Sequence, residues 1–103
     1  MPVSISNHPE ASRYEIHDDD TLAGFAEYRL SGDRISLTHT ETDPAFKGRG
    51  LATELVRGVL DDVRDRGLAV LPFCPFVKDF LAENPDYLDL VPQDQRDRFA
   101  LPA

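Results

Sequence analysis

The chain has 103 residues with 19 acidic against 11 basic side chains, a formal charge of −8, and a single cysteine. This length fits one domain with its own hydrophobic core, and one cysteine excludes an intrachain disulfide framework. The acidic balance argues against nucleic acid as a partner, and no apolar run is long enough to span a membrane. Because the start lacks a signal-peptide pattern, we expect a cytoplasmic protein.

The first half of the sequence predicts antiparallel strands. Residues 1–12 are rich in proline and serine and predict a flexible arm, and a first strand is expected to open at residues 13–16. Residues 22–30 predict a strand that a glycine-containing loop joins to the next one, as in a β-hairpin. Residues 35–42 alternate most clearly, and this alternation places four side chains on one face: Ile35, Leu37, His39 and Glu41.

The second half predicts two helices around a strand. Apolar residues recur at spacings of three and four through residues 50–66, which predicts a long amphipathic helix. The apolar run 68–73 predicts a buried strand, so that strand, helix and strand form a right-handed parallel crossover. A second helix is expected to begin at Pro75, and residues 87–91 predict a last short strand.

Together these elements predict one α/β domain over residues 13–91, followed by a C-terminal tail at residues 92–103. Its sheet is expected to be mixed, because antiparallel strands precede a strand–helix–strand–helix unit.

The segment between the clearest strand and the long helix places two glycines and two cations at a helix start. Backbone N–H groups there have no helical partner, and the helix dipole favours anions. Gly48 and Gly50 allow close backbone approach, while Lys47 and Arg49 add positive charge. A dinucleotide-binding loop would need glycine at Thr53, and a nucleotide-triphosphate loop would need Gly-Lys-Ser/Thr at the helix start, so both are excluded. An anion site and an ordinary glycine-rich turn both remain open.

This run, Lys-Gly-Arg-Gly-Leu-Ala, resembles the pyrophosphate loop of the GCN5-related N-acetyltransferase superfamily. That loop has Gln or Arg, two free positions, Gly, one free position, and then Gly or Ala. Gly50 and Ala52 match the pattern, and Lys47 stands where Gln or Arg is usual. Residues 42–44 stand where the family has an apolar residue, any residue and proline. Residues 39–41, the loop, and residues 74–78 and 84–87 are together similar, in this order, to a short single-domain branch of the superfamily. The likeness covers roughly residues 13–91.

The resemblance implies an acetyl-CoA-dependent N-acetyltransferase that moves an acetyl group to a primary amine. It implies that acetyl-CoA is held by Thr42, Asp43, Lys47, Gly48, Arg49, Gly50, Leu51, Ala52 and Thr53. Residues 41–43 are expected to splay from the neighbouring strand, to pair with the pantetheine arm and to turn one amide toward the thioester oxygen. The chain is too short for the paired helices that wall the acceptor site in longer relatives. An open acceptor site, or one completed by a partner protein or a second copy, is therefore implied.

Three residues are candidates for the transfer chemistry. Glu41 is the candidate general base that deprotonates the amine, the alternative being a solvated charge. Cys74 is either a nucleophile that forms an acetyl-cysteine or a small buried hydrophobic residue, in which case the amine attacks the thioester directly. Tyr87 is either a proton donor to the leaving thiolate or a packing residue. His39 is expected to be a core histidine rather than a proton carrier.

Two alternatives of other classes stay open. One is a non-catalytic acyl-CoA-binding or protein-interaction module on the same fold, and the other is a structural α/β domain without a CoA site. No metal site is expected, because His8 and His17 beside the aspartate run lack the spacing of metal ligands.

Overall fold

The computed structural model describes residues 3–46 and 48–102. Five strands form one sheet in chain order: β1 (Val3–His8), β2 (Arg13–Asp18), β3 (Thr21–Ser31), β4 (Arg34–Thr42) and β5 (Ala69–Pro72). Strands β1 to β4 pair antiparallel, and β5 pairs parallel to β4. The helices are α1 (Leu51–Asp65) and α2 (Pro75–Glu83). The predicted mixed α/β fold is confirmed. Neither helix of the described chain is long and apolar enough to cross a membrane.

Both helices pack on one face of the sheet. The apolar stripe of α1 is buried against β2, β3 and β4, as the spacing of its leucines and valines predicts, and α2 packs beside it on β4 and β5. The buried residues of α1 are Leu51, Leu55, Val56, Val59, Leu60 and Val63. On the opposite face of β1 to β4 many side chains are polar and exposed, including Ser4, Ser6, Glu27, His39 and Glu41. We call this second surface the open face.

A β-bulge in β4 changes which side chains share a face. Leu37 pairs with Tyr28 and His39 pairs with Glu27, so Thr38 is an extra residue that has no counterpart on β3. The prediction that Ile35, Leu37, His39 and Glu41 lie on one face is therefore wrong beyond the bulge. Past Thr38, the side chains of His39 and Glu41 lie on the open face, and His39 is not a core residue. Thr40 and Thr42 lie on the helix side instead, with Thr40 opposite the buried Ala26.

Residues 3–8 are part of the sheet rather than of a flexible arm, and residues 1 and 2 of the predicted arm lie outside the described residues. All six residues of β1 pair with β2, and the Asn7 side chain accepts a 2.7 Å hydrogen bond from the Tyr28 hydroxyl. Ile5 reaches the helix side, where its Cδ1 atom lies only 2.5 Å from the place a Cβ on Gly58 would occupy. The predicted arm is wrong because the composition of residues 1–12 conceals the alternation of Val3 and Ile5, whose partners lie on another strand.

The C-terminal segment also departs from its prediction. Residues expected to form a last strand make a 3-10 helix, Pro85–Leu90, and the expected tail packs on the core. Phe99 and Leu101 are buried, and the Phe99 ring meets Phe73 edge-on at a centroid distance of 5.1 Å. The Leu101 N–H donates to the carbonyl of Arg96 at 2.8 Å, which helps to hold residues 96–101 against the domain, and Ala103 of the predicted tail lies outside the described residues.

Candidate functional site

Backbone N–H groups of residues 48–53 lie together at the start of α1, and we call this group the cradle. Gly50 precedes the helix with a φ of 72°, and Gly48 has a φ of 82°, so both adopt the left-handed conformation that glycine tolerates best. The helical ladder begins with the Glu54 N–H, which donates to the Gly50 carbonyl at 3.2 Å. The N–H groups before it lack helical acceptors and lie beside a cleft of about 270 Å³. Its lining is Thr42, Phe46, Gly48, Gly50, Leu51, Ala52, Thr53 and Phe76.

Lys47 and Arg49 are the two cations predicted to add positive charge to this cradle. Lys47 lies outside the described residues. The Arg49 guanidinium is held by Asp18, whose Oδ2 lies 2.8 Å from Arg49 Nη1, and it also stacks on the Phe46 ring at 5.3 Å. Asp18 is 6% exposed, and its Oδ1 has no hydrogen-bond partner among the described residues. Much of the Arg49 charge is therefore neutralised, so among the described residues the backbone amides supply much of the positive field. Sequence reasoning missed Asp18 because the pair spans 31 positions.

Strands β4 and β5 part next to the cradle. Their ladder ends where Leu37 pairs with Pro72, and the Cys74 N–H then donates to the Leu37 carbonyl at 2.8 Å. Within the described chain, β5 leaves the second half of β4 unpaired on this side. This gap, which we call the β4–β5 opening, can accept an extended chain along a strand edge.

Only part of the predicted strand end faces this opening. Glu41 pairs with Phe25, and the Asp43 N–H donates to the Ala23 carbonyl at 2.8 Å, so both backbones are turned toward β3. Because ladder directions alternate along a strand, the backbones of Thr40 and Thr42 are turned toward the opening. The Asp43 amide is therefore not available to a bound arm. Its side-chain Oδ1 instead accepts from the Ala45 N–H at 2.9 Å and shapes the turn before the cradle.

Cys74 and Glu41 lie on different sides of β4. The Cys74 thiol is buried at the start of α2, and its Sγ donates to Thr40 Oγ1 at 3.4 Å on the helix side. The Glu41 carboxylate is 61% exposed on the open face, with Oε1 lying 3.8 Å from Nε2 of His39. Beside Glu41 is a second cleft of about 320 Å³, which we call the β3–β4 cleft. Thr42 lines both this cleft and the cradle.

The structure does not bring Tyr87 together with these groups. Its hydroxyl donates to Asp61 Oδ1 at 2.9 Å, and Asp61 lies about 15 Å along α1 from Leu51 at 1.5 Å per residue. Burial and the Asp61 hydrogen bond raise the pKa of Tyr87, which makes the phenol a weaker proton donor. Within residues 3–46 and 48–102, no group of three or more His, Cys, Asp or Glu side chains is arranged to hold a metal ion.

Known proteins resemble this chain in sequence and in fold. The family model of the GCN5-related N-acetyl-transferase matches residues 13–90. Protein NATD1 of Mus musculus is 37% identical over 90 residues, covering 82% of this chain and 78% of that protein, whereas the match to NATD1 of Bos taurus, 39% identical, covers only 56% of this chain and 52% of that protein.

Two solved structures share the fold. A GCN5-like protein from Staphylococcus aureus superposes with a TM-score of 0.67 at 23% identity, covering 86% of this chain and 87% of the other. N-acetylglutamate synthase from Neisseria gonorrhoeae, solved with coenzyme A and N-acetyl-glutamate, superposes with a TM-score of 0.57 at 15% identity, covering 95% of this chain and 26% of that one. The family match, which covers most of the domain, shows that this chain belongs to the GCN5-related N-acetyltransferase family.

Proposed function

We propose that the chain is an acetyl-CoA-dependent N-acetyltransferase that moves an acetyl group to a primary amine by direct attack. The observation that carries the proposal is the meeting of three features around Thr42: the α1 cradle, the β4–β5 opening and the β3–β4 cleft beside Glu41. The coenzyme A bound to the Neisseria synthase, which has the same fold, supports this choice of cofactor.

The cradle and the opening have the chemistry to hold the cofactor. Acetyl-CoA, when bound, supplies the acetyl group as an activated thioester. The backbone N–H groups from Gly48 to Thr53 would hold its pyrophosphate, because unpaired amides and the helix dipole both favour negative charge. The backbones of Thr40 and Thr42 would pair with its extended arm. One of their amides would also stabilise the charge that develops on the carbonyl oxygen.

Glu41 is the proposed general base. A primary ammonium with a pKa of about 10 must lose a proton before its nitrogen can attack. The proton passes to the Glu41 carboxylate, directly or through a water molecule, which the exposure of this side chain permits. The deprotonated nitrogen would then be free to displace the CoA thiolate from the thioester that the bound cofactor would supply, and the second amine proton would leave to that thiolate or to solvent.

Cys74 is proposed to be structural rather than covalent. Its thiol is buried and donates to Thr40 on the helix side, whereas the proposed base and its cleft lie across β4 on the open face. An acetyl group on Cys74 would therefore have to cross the strand to reach the amine. We expect Cys74→Ala to retain turnover, and loss of turnover in a variant that still binds acetyl-CoA would establish the covalent route instead.

The test combines a binding isotherm for acetyl-CoA with release of the CoA thiol in the presence of a panel of primary amines. We expect binding, turnover of at least one amine, and a loss of about 10²-fold or more in turnover for Glu41→Gln with unchanged acetyl-CoA affinity. Glu27→Gln is the matched control, since Glu27 is also exposed on the open face but does not line the β3–β4 cleft. Equal turnover in the two variants would remove Glu41 from the mechanism.

The same data separate the alternatives. Binding without turnover of any amine would favour a non-catalytic acyl-CoA-binding module on this fold. Absence of acetyl-CoA binding would refute the proposed function as a whole.

A further inference from the structure

We propose that the acceptor is a small arylalkylamine, a primary amine on an apolar stem without a neighbouring carboxylate, and that the β3–β4 cleft receives it. This inference rests on the proposed function and goes further by naming the class of acceptor and the residues that select it.

The walls of the cleft are mostly apolar. It lies between the start of β3 and the end of β4 and is lined by Leu22, Ala23, Gly24, Phe25, Glu41, Thr42, Asp43 and Pro44. Leu22 is a large apolar side chain that is 37% exposed at this position. When a ligand covers an apolar side chain that is partly exposed to water in a cleft, the removal of apolar surface from water favours binding.

The size of the cleft limits the ligand. Its volume of about 320 Å³ is at the lower end of the range for small-molecule sites, which fits a single ring with a short chain. Gly24 keeps the floor of the cleft tight, because a Cβ there would lie 2.6 Å from the Glu41 carbonyl oxygen. The two strands can therefore approach closely with no side chain between them at this point.

The charges of the lining select against a carboxylate. The two titratable groups that line the cleft are Glu41 and Asp43, both acidic. An ammonium group is attracted to this pair, whereas the carboxylate of an amino acid is repelled by it.

Two basic side chains near the cleft, Arg13 and His39, already lie against carboxylates within the described structure. Arg13 stacks on the Phe25 ring at 4.7 Å, but its Nε and Nη2 atoms are 2.8 and 2.7 Å from the buried Glu15 carboxylate. His39 lies against Glu41 itself. Neither group is placed to receive a substrate carboxylate without giving up its present partner.

The cleft also adjoins the proposed transfer site. The cleft shares Glu41 with the proposed proton transfer and shares Thr42 with the cradle. An ammonium group drawn to Glu41 would lie beside the strand whose far edge is proposed to hold the thioester arm. Substrate selection and proton removal would then use the same carboxylate.

The experiment compares 2-phenylethylamine with L-phenylalanine and ethylamine as acceptors at saturating acetyl-CoA. 2-Phenylethylamine and L-phenylalanine differ only by the carboxylate, and ethylamine lacks the ring. We expect kcat/KM for 2-phenylethylamine to exceed both by about tenfold or more. Leu22→Ser should lower kcat/KM for 2-phenylethylamine by about tenfold with little effect on ethylamine. Leu30→Ser is the matched control, an exposed leucine at the other end of β3 that lies outside the cleft, and it should change neither value.

A binding readout separates this inference from the proposed function. In a titration of the wild-type protein with 2-phenylethylamine, amide NMR shifts should move at Ala23, Gly24 and Phe25, and this is expected even if no amine is turned over. Equal or better use of L-phenylalanine, or no effect of Leu22→Ser together with unmoved amides, would overturn the acceptor assignment. Absence of acetyl-CoA binding with intact amide shifts would instead refute the proposed function and leave the cleft as an amine site.

Discussion

Replacing Arg49 with methionine should destabilise the domain much more than the distance of its ion pair alone suggests. Arg49 and Asp18 are joined at 2.8 Å, and the Arg64–Asp89 pair on the surface has the same 2.8 Å separation. The two pairs differ in the environment of the acid, because Asp18 is 6% exposed and Asp89 is 62% exposed. Arg64 makes more hydrogen bonds than Arg49 does, one to each carboxylate oxygen of Asp89 and one to the Asp86 carbonyl. A larger loss for Arg49→Met would therefore have to come from the burial of the Asp18 carboxylate.

The size of the destabilisation depends on which residue of the pair remains after the substitution. Removing one partner of a fully buried pair costs about 3–5 kcal/mol, because the remaining charge has lost its water and its counter-ion. Arg49 is 42% exposed, so part of that interaction is already screened, and we expect Arg49→Met to cost about 2–3 kcal/mol. Asp18→Asn leaves an arginine that water can reach and an amide oxygen that still accepts its hydrogen bond, so we expect about 1 kcal/mol. Arg49→Met should therefore lose more stability than Asp18→Asn.

The assay is urea unfolding followed by circular dichroism, with Arg64→Met as the control and the Arg49→Met/Asp18→Asn double variant completing a thermodynamic cycle. The control should lose less stability than Arg49→Met, since both partners of its pair are exposed and screened by water. The double variant should lose less than the sum of the single losses, because neither change alone removes both charges. Equal losses for Arg49→Met and Arg64→Met, or strict additivity in the cycle, would refute the reasoning.

Three further changes test other parts of the fold. Burial and the hydrogen bond to Asp62 raise the pKa of Tyr14 above its ordinary value of 10. The contribution of Tyr14 to stability should therefore be constant below pH 10 and fall by about 1 kcal/mol by pH 11, because the unfolded state loses the phenol proton first. Denaturant midpoints should show a smaller fall over this range in Tyr14→Phe. Gly50→Ala should cost about 1 kcal/mol in thermal unfolding and Gly50→Asn less, because asparagine tolerates the positive φ better. Phe99→Ala should cost about 3 kcal/mol in urea unfolding, whereas a residue in a free tail would cost almost nothing.

The elements that sequence patterns predict well are those whose signal is local. The stripe of α1 is complete within residues 51–65, and the glycines at the cradle sit in one short loop whose charge and spacing are visible in a single line of sequence. The parallel crossover follows from the order of strand, helix and strand. Each of these features depends on neighbours that are close in the chain.

The features that were missed depend on distant partners. The strand β1 is held by β2, Ile5 is packed under Gly58, and Phe99 meets Phe73, so none of these contacts leaves a trace in local composition. Asp18 illustrates the same point at the site. Its position in a run of three aspartates predicts a solvated turn residue, yet Asp18 is buried under the loop that contains Arg49.

The bulge at Thr38 has the largest functional consequence among these missed features. The sequence Thr-His-Thr-Glu-Thr alternates without a glycine or proline to mark an irregularity, and the extra residue emerges only from the register against β3. In a regular strand Glu41 would share the face of Ile35 and Leu37 and lie under the helices, where an unpaired carboxylate is costly.

The inserted residue moves that carboxylate to the open face and turns Thr40 toward the buried thiol of Cys74. One strand can therefore contribute apolar side chains to the core in its first half. In its second half it can present a water-accessible base on one face and backbone groups to the β4–β5 opening at its edge.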